Sequence, residues 1–361
     1  MNFSIKKIAK NALQYYRKSA NVRRFHNTML EKVRTADVEI EELTASEKTE
    51  ISNFWGKFGL KPDYDAFKWF YSVNGQKDPR YISEDIYTNY IWTTLNDMTR
   101  CKGLNDKNML DVFYSGYNMP ETIFRNINGE YLDKDYQIIS RDKAISLAEG
   151  HDKVVIKEAI DSCQGLGVIC VEGKDCDRAL NGFKKDYIVQ KVVKQHPSFA
   201  QLNQSSVNIV RMTSLLLNGE VHVLDSIIRV GAPGNFTDQA HGGGSENKNI
   251  AIGINSDGIL KKYGVTAEGR KVTKLLNGYA FGGHRLIGYN EMVEIAKALH
   301  ARTPQARLIG WDLVTDMEGN IVIIEANMTF PGIVKGQDCN GPFFGDLTED
   351  VLNYVLGQRN I

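Results

Sequence analysis

The sequence predicts an α+β protein built on antiparallel sheets, with a mostly helical region at its N-terminus. In the second half of the chain, short apolar stretches are joined in pairs by turn sequences such as Asn218-Gly219, the strongest short hairpin signal. Few helical patterns separate these pairs, which disfavours a doubly wound parallel sheet. Residues 1–100 instead carry aromatic residues dispersed in the way that is typical of a helical core.

Length, charge and cysteine content restrict the class of protein. The 361 residues suggest two or three domains, at about 150 residues each. Lys and Arg total 44, as do Asp and Glu, so bulk positive charge for nucleic acid is absent. The five cysteines are odd in number and lack zinc-ligand spacing, which indicates reduced thiols in a cytoplasmic protein. We expect neither a membrane-spanning helix nor a secretory signal, because no apolar stretch has the required length.

Several common enzyme classes have no support in the sequence. It contains no GxxxxGK[ST] phosphate loop, no GxGxxG dinucleotide turn, no GxSxG elbow and no HExxH zinc motif. The elements that we predict are strands at 153–157, 168–171 and 187–190, hairpins of 206–217 with 220–230, 250–254 with 259–265 and 307–315 with 320–327, and helices over 108–117 and 289–302.

Three oxygen-bearing side chains near the C-terminus form the most informative pattern, namely Asp312, Glu325 and Asn327. Glu325 and Asn327 are two residues apart on an expected strand, so they share a face. If a four-residue loop closes the hairpin, Asp312 lies opposite Ile323 and diagonal to Glu325, again on that face. Two carboxylates and one amide oxygen suit Mg²⁺, or Mn²⁺, held jointly with phosphate oxygens.

The alternative interpretation of these acids is a surface strand with solvated carboxylates. Glu325 follows the apolar run of residues 321–324, so we expect it to be partly buried. A buried carboxylate needs a partner, which favours the metal site.

A second pattern joins a lysine to a glycine-containing loop. Lys157 ends an apolar strand and precedes Ser162, Gly165 and Gly167. Glycine lets backbone N–H groups approach phosphate oxygens, and lysine supplies a positive charge. Taken alone, the pattern is explained better by a plain turn with a lysine that extends to solvent.

Weaker candidates lie on either side of this loop. Lys107 precedes the expected helix 108–117 and could reach a phosphate or simply be solvated. Gln190 and Val192, at the end of the strand 187–190, could offer edge hydrogen bonds to a purine.

Arginines on the long hairpin need anionic partners. Arg229 lies within an apolar strand, and the simplest register places it opposite Asn208. Phosphate fits the guanidinium fork. In that register Arg211 lies on the opposite face of the hairpin from Arg229, unless a bulge intervenes.

His241 opens a glycine-rich loop and has no assigned role.

In their order along the chain, these pieces resemble the ATP-grasp superfamily. The segments 206–211, 228–231 and 242–244 look more narrowly like its sugar-transfer-associated branch, found near polysaccharide assembly functions. The resemblance covers roughly residues 100–340. It implies an ATP-grasp subdomain at 101–195 with the glycine-rich loop and adenine hinge, and a second at 196–361 with the metal and substrate site, after the helical region 1–100.

The resemblance also implies residue roles. Lys107 and Lys157 would hold the phosphates of ATP, the loop with Ser162, Gly165 and Gly167 would close over them, and Gln190 and Val192 would bind adenine. Asp312, Glu325 and Asn327 would hold Mg²⁺, while Arg229 and Arg211 would stabilise the transferring phosphoryl group. The family places an acid after the hinge for the ribose; here Gln195 or His196 would have to substitute.

The resemblance implies a carboxylate–amine ligase that works through an acyl phosphate. The branch suggests an amine or amino acid joined to a sugar-linked carboxylate in surface polysaccharide synthesis. Two alternatives remain at this point: an ATP-dependent phosphotransferase on a hydroxyl group, and a non-catalytic nucleotide-binding module of a glycan-assembly complex.

Residues 1–30 contain no acid and seven Lys or Arg residues, and their apolar residues recur at helical spacing, namely Ile5, Ile8, Ala12, Leu13 and Tyr16. Such a helix either contacts the inner face of an anionic membrane or packs on its own domain. The first alternative predicts weak binding to anionic vesicles that salt reverses and that deletion of residues 1–30 abolishes. Co-sedimentation that responds to neither change would contradict it.

Overall fold

A computed structural model of the protein describes residues 20–160, 167–234, 236 and 249–358. The predicted roles of Ser162 and Gly165, the His241 loop and residues 1–19 of the basic helix lie outside the described residues. Helices cover residues 20–34 (α1), Ala45–Gly56 (α2), Tyr64–Asn74 (α3), Glu84–Ile86 (α4), Thr93–Leu95 (α5), Met98–Leu104 (α6), Leu110–Phe113 (α7), Arg141–Glu149 (α8), Cys176–Leu180 (α9), Pro197–Ala200 (α10), Tyr289–Ala301 (α11), Val334–Asn340 (α12) and Thr348–Gly357 (α13). A π-helix spans Tyr87–Trp92, and 3₁₀ turns cover Lys107–Met109, Gly173–Asp175 and Gly345–Leu347.

The strands form two antiparallel sheets. They are Thr122–Ile127 (β1), Glu130–Asp133 (β2), Lys153–Glu158 (β3), Val168–Glu172 (β4), Tyr187–Lys191 (β5), Ile209–Leu217 (β6), Glu220–Val230 (β7), Ile250–Ile254 (β8), Leu260–Val265 (β9), Lys271–Val272 (β10), Leu308–Thr315 (β11) and Ile321–Asn327 (β12). In the described chain, one sheet has the order β2-β1-β5-β3-β4 and the other β10-β9-β8-β7-β6-β11-β12. The predicted α+β class with antiparallel sheets and a helical N-terminal region is therefore confirmed.

The described residues divide into two compact units. A helical unit comprises residues 20–97, 267–271 and 332–358, and a two-sheet unit comprises most of residues 98–331. The predicted boundary at residue 195 falls between the two sheets and stays a prediction. No helix among the described residues is long and apolar enough to cross a membrane.

The helical unit buries the aromatic residues of its sequence. Trp55, Trp69 and Tyr81 are fully buried, and the Trp69 indole donates a hydrogen bond of 2.7 Å to Asp338 Oδ1. Helix α2 begins at a capping box, in which Thr44 and Glu47 satisfy each other's backbone N–H groups. The Trp55 indole likewise donates to the Pro79 carbonyl at 2.8 Å, so both tryptophans bury their rings with the N–H group hydrogen-bonded.

Strand periodicity decides which face of each sheet carries polar side chains. In β3, Val154 and Ile156 pack in the core beneath α8 and α9, so Val155 and Lys157 point to the opposite face. In β11, Trp311 faces the core formed with α11, so Asp312 lies on the opposite face. Both sheets thus turn polar residues away from their helices.

A hydrogen-bonded chain in the core ties β6, β11 and α11 together. Trp311 Nε1 donates to Ser214 Oγ at 2.8 Å, and Ser214 Oγ lies 2.6 Å from His300 Nδ1. His300 Nε2 lies 3.0 Å from the Ala306 carbonyl oxygen, which can only accept. The chain is therefore satisfied by a neutral ring that carries its proton on Nε2.

Acidification should weaken the fold through His300. Burial lowers the pKa of His300 from 6.5 to about 4, so the unfolded chain binds a proton first as the pH falls below 6.5. We expect the free energy of unfolding to drop by about 2 kcal/mol between pH 6.5 and pH 5 from this group. Urea unfolding followed by circular dichroism measures it. His300→Gln cannot titrate, so its stability should depend less on pH, and parallel profiles would contradict the assignment.

Candidate functional site

A row of charged side chains crosses four neighbouring strands of the larger sheet. Asp312 on β11 pairs with Arg211 on β6 at one side and with Glu325 on β12 at the other. Arg229, on β7 beyond β6, also reaches the Asp312 carboxylate. The row occupies the face opposite Trp311, because side chains alternate along each strand.

The register on β12 differs from the one expected. Asp312 lies directly opposite Glu325 rather than opposite Ile323, because the pairing shifts between Asp312 and Leu313. The expected diagonal position was wrong, since the four-residue count did not include this bulge. The correction brings the two carboxylates closer, and Asn327 remains two residues along on the same face.

The expected pairing of Arg229 with Asn208 was also wrong. Arg229 lies opposite Ile209, and a bulge between Thr213 and Ser214 shifts the hairpin register. Arg211 consequently lies on the same face as Arg229, which resolves the parity question left open by the sequence.

The two arginines enclose the Asp312 carboxylate. Arg211 Nε and Nη2 donate to its two oxygens at 2.5 and 2.9 Å, and Arg229 Nη2 lies 3.3 Å from both. Asn327 Nδ2 donates to Oδ2 at 3.4 Å. Asp312 is only 4% exposed, and burial alone would raise its pKa, but the two guanidinium groups hold that pKa below its usual value. The carboxylate stays ionised.

Lys107 brings a third cation to the row. Its Nζ lies 3.0 Å from Glu325 Oε1, and the lysine is 7% exposed. The expected helix 108–117 is much shorter, since Lys107 begins a 3₁₀ turn and α7 covers only Leu110–Phe113. The Lys107 N–H donates to the Ala159 carbonyl at 3.0 Å, which attaches the turn to the end of β3.

Lys157 lies on β3 of the smaller sheet, on the face turned away from α8 and α9. Burial and the like charge of Lys107 lower its pKa to about 8, while Glu325 and Asp312 oppose the shift. Those interactions place the Lys157 ammonium group within electrostatic reach of all three charges. Lys157, Lys107, Glu325 and Asp312 therefore form one electrostatic cluster between the sheets.

The remaining predicted nucleotide residues lie on β5 or directly after it. Ile188 and Gln190 line a small pocket with Lys107 and Ile324, and Gln190 Nε2 donates to the Pro120 carbonyl at 3.2 Å. Val192 is half-buried and directly follows β5.

Gly167 directly precedes β4 and has a φ of +74°, a left-handed conformation that favours glycine. An added Cβ would come within 2.8 Å of the Glu158 side chain, which would have to move.

Gln195 and His196, the two proposed substitutes for the ribose acid, already use their side chains in hydrogen bonds within the protein. Gln195 Nε2 donates to the carbonyls of Asn203 and Ser206 at 3.0 and 2.7 Å, and its Oε1 accepts from Asn208. Its amide therefore holds the chain after the hinge. His196 caps α10 by accepting from the Ser198 N–H through Nδ1.

One buried network beside Lys107 was missed by the sequence reasoning. Arg125 is fully buried, and its Nη1 donates to the Asn108 carbonyl at 2.6 Å while Nη2 donates to Asp111 Oδ2 at 2.8 Å. The Tyr136 hydroxyl lies 2.8 Å from the same carbonyl and 2.5 Å from Asp111 Oδ1. Through the Asn108 carbonyl, the network holds the backbone of the turn next to Lys107. Only Arg125 within the apolar pattern of β1 could have signalled it.

The acids and the amide fit a hard divalent cation. Asp312 and Glu325 offer carboxylate oxygens, and Asn327 offers an amide oxygen because its nitrogen already donates to Asp312. This donor set is typical of Mg²⁺ shared with phosphate oxygens.

The comparisons with known proteins concern the family and the fold. Residues 177–351 match the family model of sugar-transfer associated ATP-grasp proteins. The ATP-grasp resemblance is confirmed. The matched range includes Gln190, both arginines and the three predicted metal ligands, whereas Lys107 and Lys157 precede it. No curated protein matches the sequence.

Solved structures with partial similarity are ligases. The VanG D-Ala:D-Ser ligase from Enterococcus faecalis has 14% identity and a TM-score of 0.45, over 70% of this chain and 61% of that one. D-alanyl-alanine synthetase A from Vibrio cholerae O1 biovar eltor has 15% identity and a TM-score of 0.40, over 70% and 65%. The ATP-grasp ligase PsnB, complexed with minimal precursor, has 11% identity and a TM-score of 0.43, over 72% and 63%. The chain thus spans between 61% and 65% of the length of these structures.

In the Arg125 network, removing the charge of Asp111 should destabilise the fold more than removing Arg125 itself. Asp111→Asn leaves a buried guanidinium without its counter-charge, so we expect a loss of about 3 kcal/mol in the free energy of unfolding. Arg125→Met leaves a half-exposed carboxylate that water can solvate, so we expect a smaller loss, about 1–2 kcal/mol. Urea unfolding of both variants measures the difference. A larger loss in Arg125→Met would contradict this description.

Proposed function

We propose that the protein is an ATP-dependent carboxylate–amine ligase that works through an acyl phosphate. The observation that supports this most is the charged row, in which cations suited to phosphate lie directly beside oxygen ligands suited to Mg²⁺. Lys107 of this row lines a small pocket with Gln190, and Lys157 interacts electrostatically with Glu325 and Asp312. The family match over residues 177–351 supports the same proposal.

We assign each site residue a role in binding the nucleotide or the metal from its charge and its position. Lys107 and Lys157 would neutralise the phosphate oxygens, Gly167 would keep the loop backbone close to them, and Gln190 with Val192 would hold adenine. Asp312, Glu325 and Asn327 would hold Mg²⁺, which when bound draws negative charge from the phosphates. The arrangement contributes by electrostatic positioning more than by covalent chemistry.

The reaction would proceed in two displacements. A carboxylate oxygen of the acceptor attacks the terminal phosphorus of ATP, and ADP leaves. An amine nitrogen then attacks the acyl carbon, the bond to phosphate breaks, and the amine proton is lost. Arg229 and Arg211 would stabilise the phosphoryl group during transfer because their guanidinium forks match its oxygens.

The family description supports a sugar-linked carboxylate as one substrate, with an amino acid or other amine as the second. Synthesis of surface polysaccharide is the setting that we propose. A cytoplasmic location, with contact between residues 1–30 and an anionic membrane, belongs to the same proposal.

The proposal predicts ADP and phosphate release that requires an acid and an amine together. A coupled ADP assay against paired acids and amines tests it, and hydroxylamine in place of the amine should trap the acyl phosphate as a hydroxamate. Arg229→Met should lower kcat on the order of 10²–10³-fold, because it removes a charge that acts on the transferring group.

Two control variants accompany this screen. Asp312→Asn should abolish turnover, and its melting temperature shows whether the fold survives. Glu294→Gln removes an exposed carboxylate that pairs with Lys297 on α11, so it should leave the rate unchanged. AMP as the product would overturn the proposal, as would turnover without a carboxylic acid. A stable phosphate ester, seen by mass spectrometry, would indicate a phosphotransferase.

A further inference from the structure

The residues that we assign to the metal and those that we assign to phosphate are paired with each other. Glu325 Oε1 lies 3.0 Å from Lys107 Nζ. Both oxygens of Asp312 accept from Arg211 and approach Arg229 at 3.3 Å. Each carboxylate that would bind the metal therefore neutralises cations that would bind the nucleotide.

Burial makes these pairs costly to break one side at a time. Lys107, Arg229 and Asp312 are all less than 9% exposed. Removing one partner of a buried ion pair leaves an uncompensated charge and costs several kcal/mol. A metal ion that binds alone would coordinate the carboxylates and leave Lys107 and the arginines without these anionic partners. A triphosphate that binds alone would be repelled by the two carboxylates.

The charges of the site balance only when both ligands arrive. Lys107, Lys157, Arg211 and Arg229 oppose Asp312 and Glu325, which leaves two positive charges in excess. A magnesium–triphosphate complex carries about two negative charges at neutral pH. The complex therefore matches the site, whereas either component alone leaves it strongly charged.

We propose that the site accepts metal and nucleotide as one unit, by exchange of these internal ion pairs. In the exchange, Asp312 and Glu325 pass from their cations to the metal, and Lys107 with the two arginines pass to phosphate oxygens. Glu325 thereby suppresses binding of metal-free nucleotide by occupying Lys107. The inference rests on the proposed function, since it assumes that this site binds ATP.

The sharpest test is the variant Glu325→Gln, assayed by calorimetry with ATP in EDTA and with ATP in excess Mg²⁺. The exchange predicts opposite changes: about tenfold tighter binding of metal-free ATP, because Lys107 is released, and about tenfold weaker binding of the magnesium complex. A carboxylate that acts only as a metal ligand would weaken the magnesium complex and leave metal-free ATP unchanged.

A matched control and a reciprocal variant complete the design. Glu294→Gln removes one carboxylate, paired with Lys297 at the same distance of 3.0 Å, and should change neither affinity. Lys107→Met releases Glu325, so Mn²⁺ alone, followed by electron paramagnetic resonance, should bind about tenfold tighter than to the unmodified protein. This second measurement applies even if Glu325→Gln does not fold.

The outcomes separate the two proposals. Magnesium–ATP binding to the unmodified protein, with no gain for metal-free ATP in Glu325→Gln and none for Mn²⁺ in Lys107→Met, overturns the exchange and leaves the ligase proposal intact. Failure of the unmodified protein to bind magnesium–ATP overturns both. Opposite changes in the two nucleotide affinities support the exchange.

Discussion

The Asp312 carboxylate is the constraint on which the site depends. It is buried on a strand between Arg211 and Glu325, and a charge in that position requires compensation from its neighbours. Arg211 and Arg229 supply it, and each of them would be equally unfavourable in the sheet without an acid. The strand order β7-β6-β11-β12 is what allows four charged residues to stand side by side in an otherwise apolar sheet.

The elements of the sheets could be predicted from the sequence because each depends on local signals. Apolar stretches gave the strands, and turn residues gave the hairpins, so β11, β12 and α11 lie within one or two residues of their expected positions. The site acids could also be predicted, because an acid at the end of an apolar strand is unusual and its spacing from Asn327 fixes a common face.

Register could not be predicted, since a bulge leaves no reliable mark in the sequence. The extra residue Leu224 on β7, opposite the step from Thr213 to Ser214, decides whether Arg211 faces Arg229 or the core. The shift after Asp312 decides how near Asp312 lies to Glu325. The Arg125 network could not be predicted for a related reason. It joins Asn108, Asp111 and Tyr136 through contacts that only the folded chain brings together.

The same physical logic links stability and function in this site. A site that binds phosphate groups needs several cations close together. Such cations repel one another, which destabilises the sheet that carries them. Pairing them with the acids that we propose as metal ligands addresses both requirements. The two acids offset half of the four positive charges in the empty site, and a magnesium–nucleotide complex would offset the remaining two. Lys107 stands on a short 3₁₀ turn rather than on a strand, and the Arg125 network holds that turn by its backbone. The backbone attachment leaves the lysine side chain able to change partners while its anchor stays in place.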